Sequence, residues 1–161
     1  MSAAASEYNR VRVLLVDDHV LVRKGLASLL QAEPDFEVVG EAIDGLEAIA
    51  MATDLRPDVI LMSLRLPRMD GLEATRKILE TQPAARIVML SMSEDEDAVF
   101  QSLHSGARGY LLKTIEPKVL IDQLRDVLGV EAVLSRGLAT KTLPEFARVA
   151  RPRAERVSSS M

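Results

Sequence analysis

The 161-residue chain is 48% hydrophobic and 27% charged with a net charge of −4, the balance of one soluble globular domain with a real core. It has no cysteine and two histidines, which excludes a disulfide scaffold, a thiolate metal site and a histidine-rich metal centre and suits a reducing cytoplasm. Residues 1–128 carry 14 Lys/Arg against 21 Asp/Glu and residues 129–161 carry 6 against 3, so an acidic body precedes a mildly basic tail, unlike a domain built to grip nucleic-acid phosphates.

The N-terminal residues 1–9 lack the basic flank and apolar stretch of a signal peptide and read as flexible. The first strand is expected over Val11–Asp17, and Val22, Leu26, Leu29 and Leu30 then form one helical stripe that Pro34 stops. A second strand over Phe36–Gly40 leads to a helix entered at Asp44-Gly45 and striped by Leu46, Ile49 and Ala50. The third strand, Asp58–Met62, precedes a helix that starts after Asp70-Gly71 and ends before Pro83. Arg86–Ser91 is the fourth strand; Ser93 is the expected N-cap of the next helix, with Glu94–Asp97 crowding acid into its first turn and Gly106 closing it. Gly109–Leu112 is the fifth strand, and the fifth helix begins near Pro117 with Leu120, Leu124, Val127 and Leu128 on one side. The apolar centres of the strands are continuous rather than alternating, as in strands covered on both faces. Five alternating βα units predict an α/β fold with a doubly wound, five-stranded parallel sheet spanning residues 10–130. Residues 131–161 read as a linker or tail, with one short helical patch at Leu143, Phe146 and Ala147. No apolar run is long enough for a membrane helix.

Open parallel sheets bind ligands at the carboxyl ends of their strands. Those ends here carry Asp17 and Asp18, Ser63, Ser91 and Lys113. Adjacent carboxylates suit a hard divalent cation, and a lysine with hydroxyls suits a small anion such as a phosphoryl group. His19 and His104 read as surface or packing residues.

The runs Val13-Leu-Leu-Val-Asp-Asp-His19, Asp44-Gly-Leu-Glu-Ala48, Pro57-Asp-Val-Ile-Leu-Met62, Leu66-Pro-Arg-Met-Asp-Gly-Leu-Glu-Ala-Thr-Arg76 and Gly106-Ala-Arg-Gly-Tyr-Leu-Leu-Lys113 resemble the receiver domain of two-component response regulators, in particular the NarL/FixJ family. The resemblance covers about residues 10–130 and implies a flavodoxin-like sheet of order 2-1-3-4-5. It implies that Asp17 and Asp18 hold Mg²⁺ together with the backbone carbonyl of Arg65, that Ser91 and Tyr110 form the switch, and that Lys113 contacts phosphoryl oxygens. It also implies a cognate sensor histidine kinase, a homodimer through the face made by the fourth helix, fifth strand and fifth helix, and DNA contact only through a C-terminal helix-turn-helix output domain, for which the 33 residues after Leu128 are too few.

One position departs from that pattern. The family's phosphoacceptor aspartate falls on Ser63, in Met62-Ser63-Leu64. A serine forms no acyl phosphate, and one carboxylate fewer weakens a Mg²⁺ site. The departure fits either a pseudo-receiver that works without aspartyl phosphate or an introduced substitution that has silenced an ordinary one. The expected function is thus a non-enzymatic signal-input module of a transcription regulator. Its alternatives are a receiver gated by a small ligand and a hydrolase using Ser63 as nucleophile.

Overall fold

The computed structural model describes residues 10–128 and 133–134. The five expected strands form in the expected order: β1 (Val11–Val16), β2 (Phe36–Ala42), β3 (Val59–Ser63), β4 (Ile87–Ser91) and β5 (Gly109–Leu112). Between and after them run α1 (Val20–Gln31), α2 (Gly45–Leu55), α3 (Gly71–Thr81), α4 (Glu96–His104) and α5 (Pro117–Val127). All strand pairs are parallel, with sheet order β2-β1-β3-β4-β5-β6. The last strand, β6 (Val133–Leu134), pairs with Gly109 and Tyr110. It falls in the stretch expected to be linker, and a two-residue strand is too short to announce itself by periodicity. Residues 1–9 and the expected helical patch at 143–147 lie outside the described residues.

The unbroken apolar strands follow from burial on two faces. Val13, Leu15, Val59, Leu61, Val88 and Leu90 pack with α1 and α5, while Leu14, Val16, Ile60, Met62, Ile87 and Met89 pack with α2, α3 and α4. Successive side chains alternate between two apolar layers, so no polar position interrupts the run. Every residue of β3 and β4 is buried. Each large aliphatic side chain so enclosed contributes roughly 1.5–3 kcal/mol relative to an exposed one. Arg125 fastens α5 to the α1–β2 connection through Glu33 and Asp35 at 2.9 and 2.8 Å and lies over the Phe36 ring. Its hydrogen bond to Asp35 holds that carboxyl below the ordinary range.

The pentapeptide Asp-Gly-Leu-Glu-Ala occurs twice, at 44–48 and 70–74, and in both places it starts a helix. Asp44 and Asp70 are the N-caps, accepting from the backbone N–H groups of Glu47 (2.8 Å) and Glu73 (2.9 Å). The glycine follows because the helix start presses against backbone. A Cβ on Gly45 would meet the carbonyl oxygen of Met69, and one on Gly71 would meet that of Ser63. The second contact brings the start of α3 against the end of β3. Gly71→Ala is expected to destabilise by roughly 2–3 kcal/mol, as forced overpacking does, seen as a lower urea midpoint at unchanged m-value. A loss under about 0.5 kcal/mol, within the range of ordinary surface substitutions, would refute this reading of the contact.

At α4 the N-cap differs from expectation. The cap is Asp95, which accepts from Asp97 N–H, while the Ser93 hydroxyl accepts from Asp95 N–H at 3.1 Å. Both residues can cap, and the longer loop after β4 lets the helix begin two residues later.

Candidate functional site

Strand order reverses at β1, which has β2 on one side and β3 on the other. The crevice at such a reversal is where an open α/β sheet places ligands. Asp17 and Asp18 leave the end of β1, Ser63 ends β3, Ser91 ends β4 and Lys113 follows β5. A cavity of about 330 Å³ is lined by Ser63, Arg65, Ser91, Lys113 and His19, with backbone neighbours Met92 and Ser93. Side chains up to 94 positions apart in the chain thus share one hollow, built by the ends of four strands.

Asp17 and Asp18 do not themselves line this cavity; the buried Asp17 carboxylate, 2% exposed, faces the cavity's Lys113 ammonium at 2.8 Å from Oδ2. The approach lacks hydrogen-bond geometry on the carboxylate side, so the compensation is of charge. Oδ1 accepts from the backbone N–H of His19 at 2.9 Å. Asp18 is more open, and the His19 ring Nδ1 lies 3.2 Å from Asp17 Oδ1 and 3.7 Å from Asp18 Oδ1. Ser63 is buried, its hydroxyl donating to the Arg65 carbonyl at 3.4 Å. That bond points the hydroxyl at a neutral acceptor rather than at a base that would activate it.

Ser91 accepts from Ser93 N–H at 3.0 Å, folding the β4–α4 loop back over the rim. Tyr110 does not line the cavity. It is fully buried on the α2–α3–α4 side of the sheet, and its phenol donates to the Ser93 carbonyl at 2.9 Å. Ser91 and Tyr110 therefore hold the same loop residue, Ser93, from two directions. Burial pushes the Tyr110 phenol above its ordinary value, a hydrogen bond with Ser91 opposes this and the nearby Asp95 charge adds to it. A raised folded-state value means that Tyr110 contributes stability fully present below about pH 10, its ordinary value, and lost as pH rises through the folded value. Tyr110→Phe is expected to cost about 1 kcal/mol at neutral pH for the lost hydrogen bond and to flatten the alkaline fall in stability. Urea melts at neutral and alkaline pH check both, and an unchanged alkaline slope would contradict the assignment.

Two residues at this site were given no role by the sequence reading. Arg23, on α1, is 8% exposed, donating to the Asp17 carbonyl at 2.7 Å and to Glu41 at 2.8 Å. Burial alone would raise the Glu41 carboxyl, but hydrogen bonds from Arg23 and Lys24 outweigh it and hold it low. Arg23 follows His19 by four residues and so shares its helix face toward the rim, a spacing that could have flagged it. His19, expected to be a surface residue, is exposed at 67% yet stands against both acids.

Asp17 Oδ1 and Asp18 Oδ1 are hard oxygen donors of the kind Mg²⁺ takes, so the residues present fit such an ion in type. With Ser63 in third place they supply two carboxylates. Among the described residues no helix is long and apolar enough to cross a membrane.

The model of the response regulator receiver domain matches residues 13–125. The chain is 44% identical over 133 residues to the transcriptional regulatory protein LiaR of Bacillus subtilis, covering 83% of this chain and 63% of that protein. It is 42% identical over 144 residues to the nitrate/nitrite response regulator protein NarL of Escherichia coli, covering 89% and 66%. The chain thus spans a little under two thirds of the length of these curated relatives, which are named as regulators rather than enzymes. Among solved structures, a two-component response regulator of the LuxR family from Aurantimonas sp. superposes with a TM-score of 0.81 at 33% identity, over 86% of this chain and 99% of that one. The receiver domain of a NarL from Mycobacterium tuberculosis gives 0.72 at 32%, over 74% and 97%. The rim of strand ends, the sheet order and the sequence agree: the chain belongs to the response regulator receiver family, among homologues of the NarL, LuxR and FixJ type.

Proposed function

We propose that this chain is the signal-input module of a transcription regulator and that it switches without an aspartyl phosphate. The reading is carried by one observation: where the fold presents its central acceptor, Ser63 offers only a hydroxyl, bonded to the Arg65 carbonyl, while Lys113 is engaged by Asp17. A receiver alternates between two arrangements whose balance a bound group shifts by its differential interactions with each. Here the balance is set by packing. The Lys113–Asp17 pair, the Ser91 bond to Ser93 and the Tyr110 bond to the Ser93 carbonyl hold the β4–α4 loop in the arrangement described. Ser91 and Tyr110 are the switch residues, and Lys113 is the cation that would meet an anion entering the cavity.

Receiver domains bind Mg²⁺ as a class. In this chain Asp17, Asp18 and the Arg65 carbonyl would hold it, with lower affinity than three carboxylates give, because charge count sets much of the affinity for hard cations. Mg²⁺ would supply charge neutralisation for an incoming anion. The upstream partner is a sensor histidine kinase whose transfer finds no acceptor at position 63. Self-association runs through α4, β5 and α5, beside which β6 lies, and transcription control, the role that the name of the relative LiaR states, runs through a C-terminal DNA-binding output region. The chain's place of action is the cytoplasm.

Incubation of the native chain with acetyl phosphate and Mg²⁺ tests the reading by intact-protein mass. The expected spectrum shows no added phosphoryl group. A hydroxylamine-sensitive adduct on the native chain would overturn it.

A further inference from the structure

We propose that segment 143–153 of this chain docks in the groove between the β3–α3 loop and the start of α4, its apolar residues on the groove floor and its arginines against the acids around it. The inference goes beyond the signal-input reading and does not depend on how the receiver is switched.

The groove encloses about 450 Å³. Leu64, Leu66, Leu72 and Ala98 give it an apolar floor, the first buried and the other three half-buried. Three carboxylates stand around it: Asp70 caps α3, Asp95 caps α4, and Asp97 follows in the first turn of α4. One cation, Arg65, lines the same groove. Among the described residues none of these three acids belongs to an ion pair, whereas Asp17, Glu41 and Asp44 each face a cation. An apolar floor bordered by unpaired acid fits a segment that carries apolar and basic side chains together. The groove between α1 and α5, of about 350 Å³, is also apolar, but its charged lining is Lys113 and no acid, which disfavours a basic occupant.

The chain itself supplies such a segment. Residues 135–161, outside the described residues, hold six Lys/Arg against two Asp/Glu. Within them the apolar Leu143, Phe146 and Ala147 stand next in sequence to Arg148, Arg151 and Arg153. The direction of β6 aims this stretch at the right edge of the sheet. β6 runs parallel to β5, with Leu134 opposite Tyr110, so it points toward the carboxyl ends of the strands, the edge at which α4 begins. α4 lies on the Tyr110 side of the sheet, through Val99 and Leu103. Eight residues, 135–142, separate Leu134 from Leu143. Extended, they reach roughly 27 Å, against a helix width of about 10–12 Å to cross. A tether this short sets an effective concentration in the millimolar range, at which a modest affinity fills the groove in most molecules.

The chain has no cysteine, so a nitroxide attached at Ala154→Cys reports the segment in the full chain by broadening the amide resonances near it. At low salt the amides of residues 64–72 and 95–101 should lose most of their intensity while those of α1 and α5 keep theirs. The intensity should return when Arg148→Glu, Arg151→Glu and Arg153→Glu are combined, and again with Phe146→Ser or with Asp97→Lys. It should return in part at 1 M NaCl, where the Debye length is about 3 Å. The proposal is overturned if the label broadens no described amide, if it broadens the α1–α5 groove instead, or if the losses survive the arginine and Phe146 changes. Losses in a nitroxide-free, isotope-enriched chain mixed with nitroxide-bearing chain would overturn it as well, because they place the segment on a second copy.

Discussion

Ser63→Asp is expected to turn a chain inert to acetyl phosphate into one that takes up a phosphoryl group on most molecules within minutes. The substitution puts a carboxylate at the end of β3, inside the cavity that Ser91 and Lys113 also line. A carboxylate oxygen attacks phosphorus, acetate leaves, and the developing charge on the transferred group meets the Lys113 ammonium and the Ser91 hydroxyl. Electrostatic preorganisation of this sort supplies most of the catalysis in phosphoryl transfer. The adduct should be labile to hydroxylamine, as an acyl phosphate is, and should not form when Mg²⁺ is chelated. The same substitution carries a stability cost without metal. A third carboxylate beside Asp17 and Asp18 adds like-charge repulsion, expected at about 1 kcal/mol and removed by Mg²⁺, as urea melts with and without the ion would show. If Ser63→Asp stayed unmodified under conditions that modify ordinary receivers, the rim would not be a receiver centre lacking only its acceptor.

Lys113→Met is expected to produce the largest loss of stability of any change at the rim. It leaves the Asp17 carboxylate 2% exposed with no cation facing Oδ2, and an uncompensated buried charge typically costs 3–5 kcal/mol. The surviving bond from His19 N–H to Oδ1 moderates this, so a loss of about 2–4 kcal/mol is expected. The test is a double-mutant cycle. Lys113→Met combined with Asp17→Asn should recover much of the loss, because the second change removes the stranded charge, giving a coupling energy of about 1–3 kcal/mol. A single-variant loss below about 1 kcal/mol, the range of an exposed pair, would mean that water reaches Asp17 and that the pair is not the buried fastening described.

The positions of Asp17, Ser63, Ser91 and Lys113 were legible in the sequence because they depend only on the βα alternation. Once each strand end is located, topology brings those ends together whatever the helices do. The resemblance added which residue would do what, while the family match and the sheet order bear on the family and the fold it implied. Features that depend on a choice between nearly equal local solutions were less legible. Ser93 and Asp95 are both competent caps, and the loop after β4 decides between them. Arg23 looks like one more polar residue on an amphipathic helix, and only the three-dimensional approach of α1 to the rim makes its guanidinium a buried link to Asp17 and Glu41. The repeated Asp-Gly-Leu-Glu-Ala was visible as letters, but its meaning lies in backbone contacts at Met69 and Ser63. His19 was passed over because a single histidine carries no spacing signal, and its value depends on ring position.

The short strand β6 has a consequence for how two copies can meet. A bare outer strand is a template on which another chain can continue the sheet, and natural proteins blunt such margins. On the β5 side the amides and carbonyls at Gly109 and Tyr110 are already matched by the chain's own Val133 and Leu134. Among the described residues the margin on this flank is the two-residue β6, a short template for growth of the sheet from molecule to molecule, which favours association here through side chains on helical surfaces. Such contacts form and release without unzipping a β-ladder, which suits an assembly that has to come apart again.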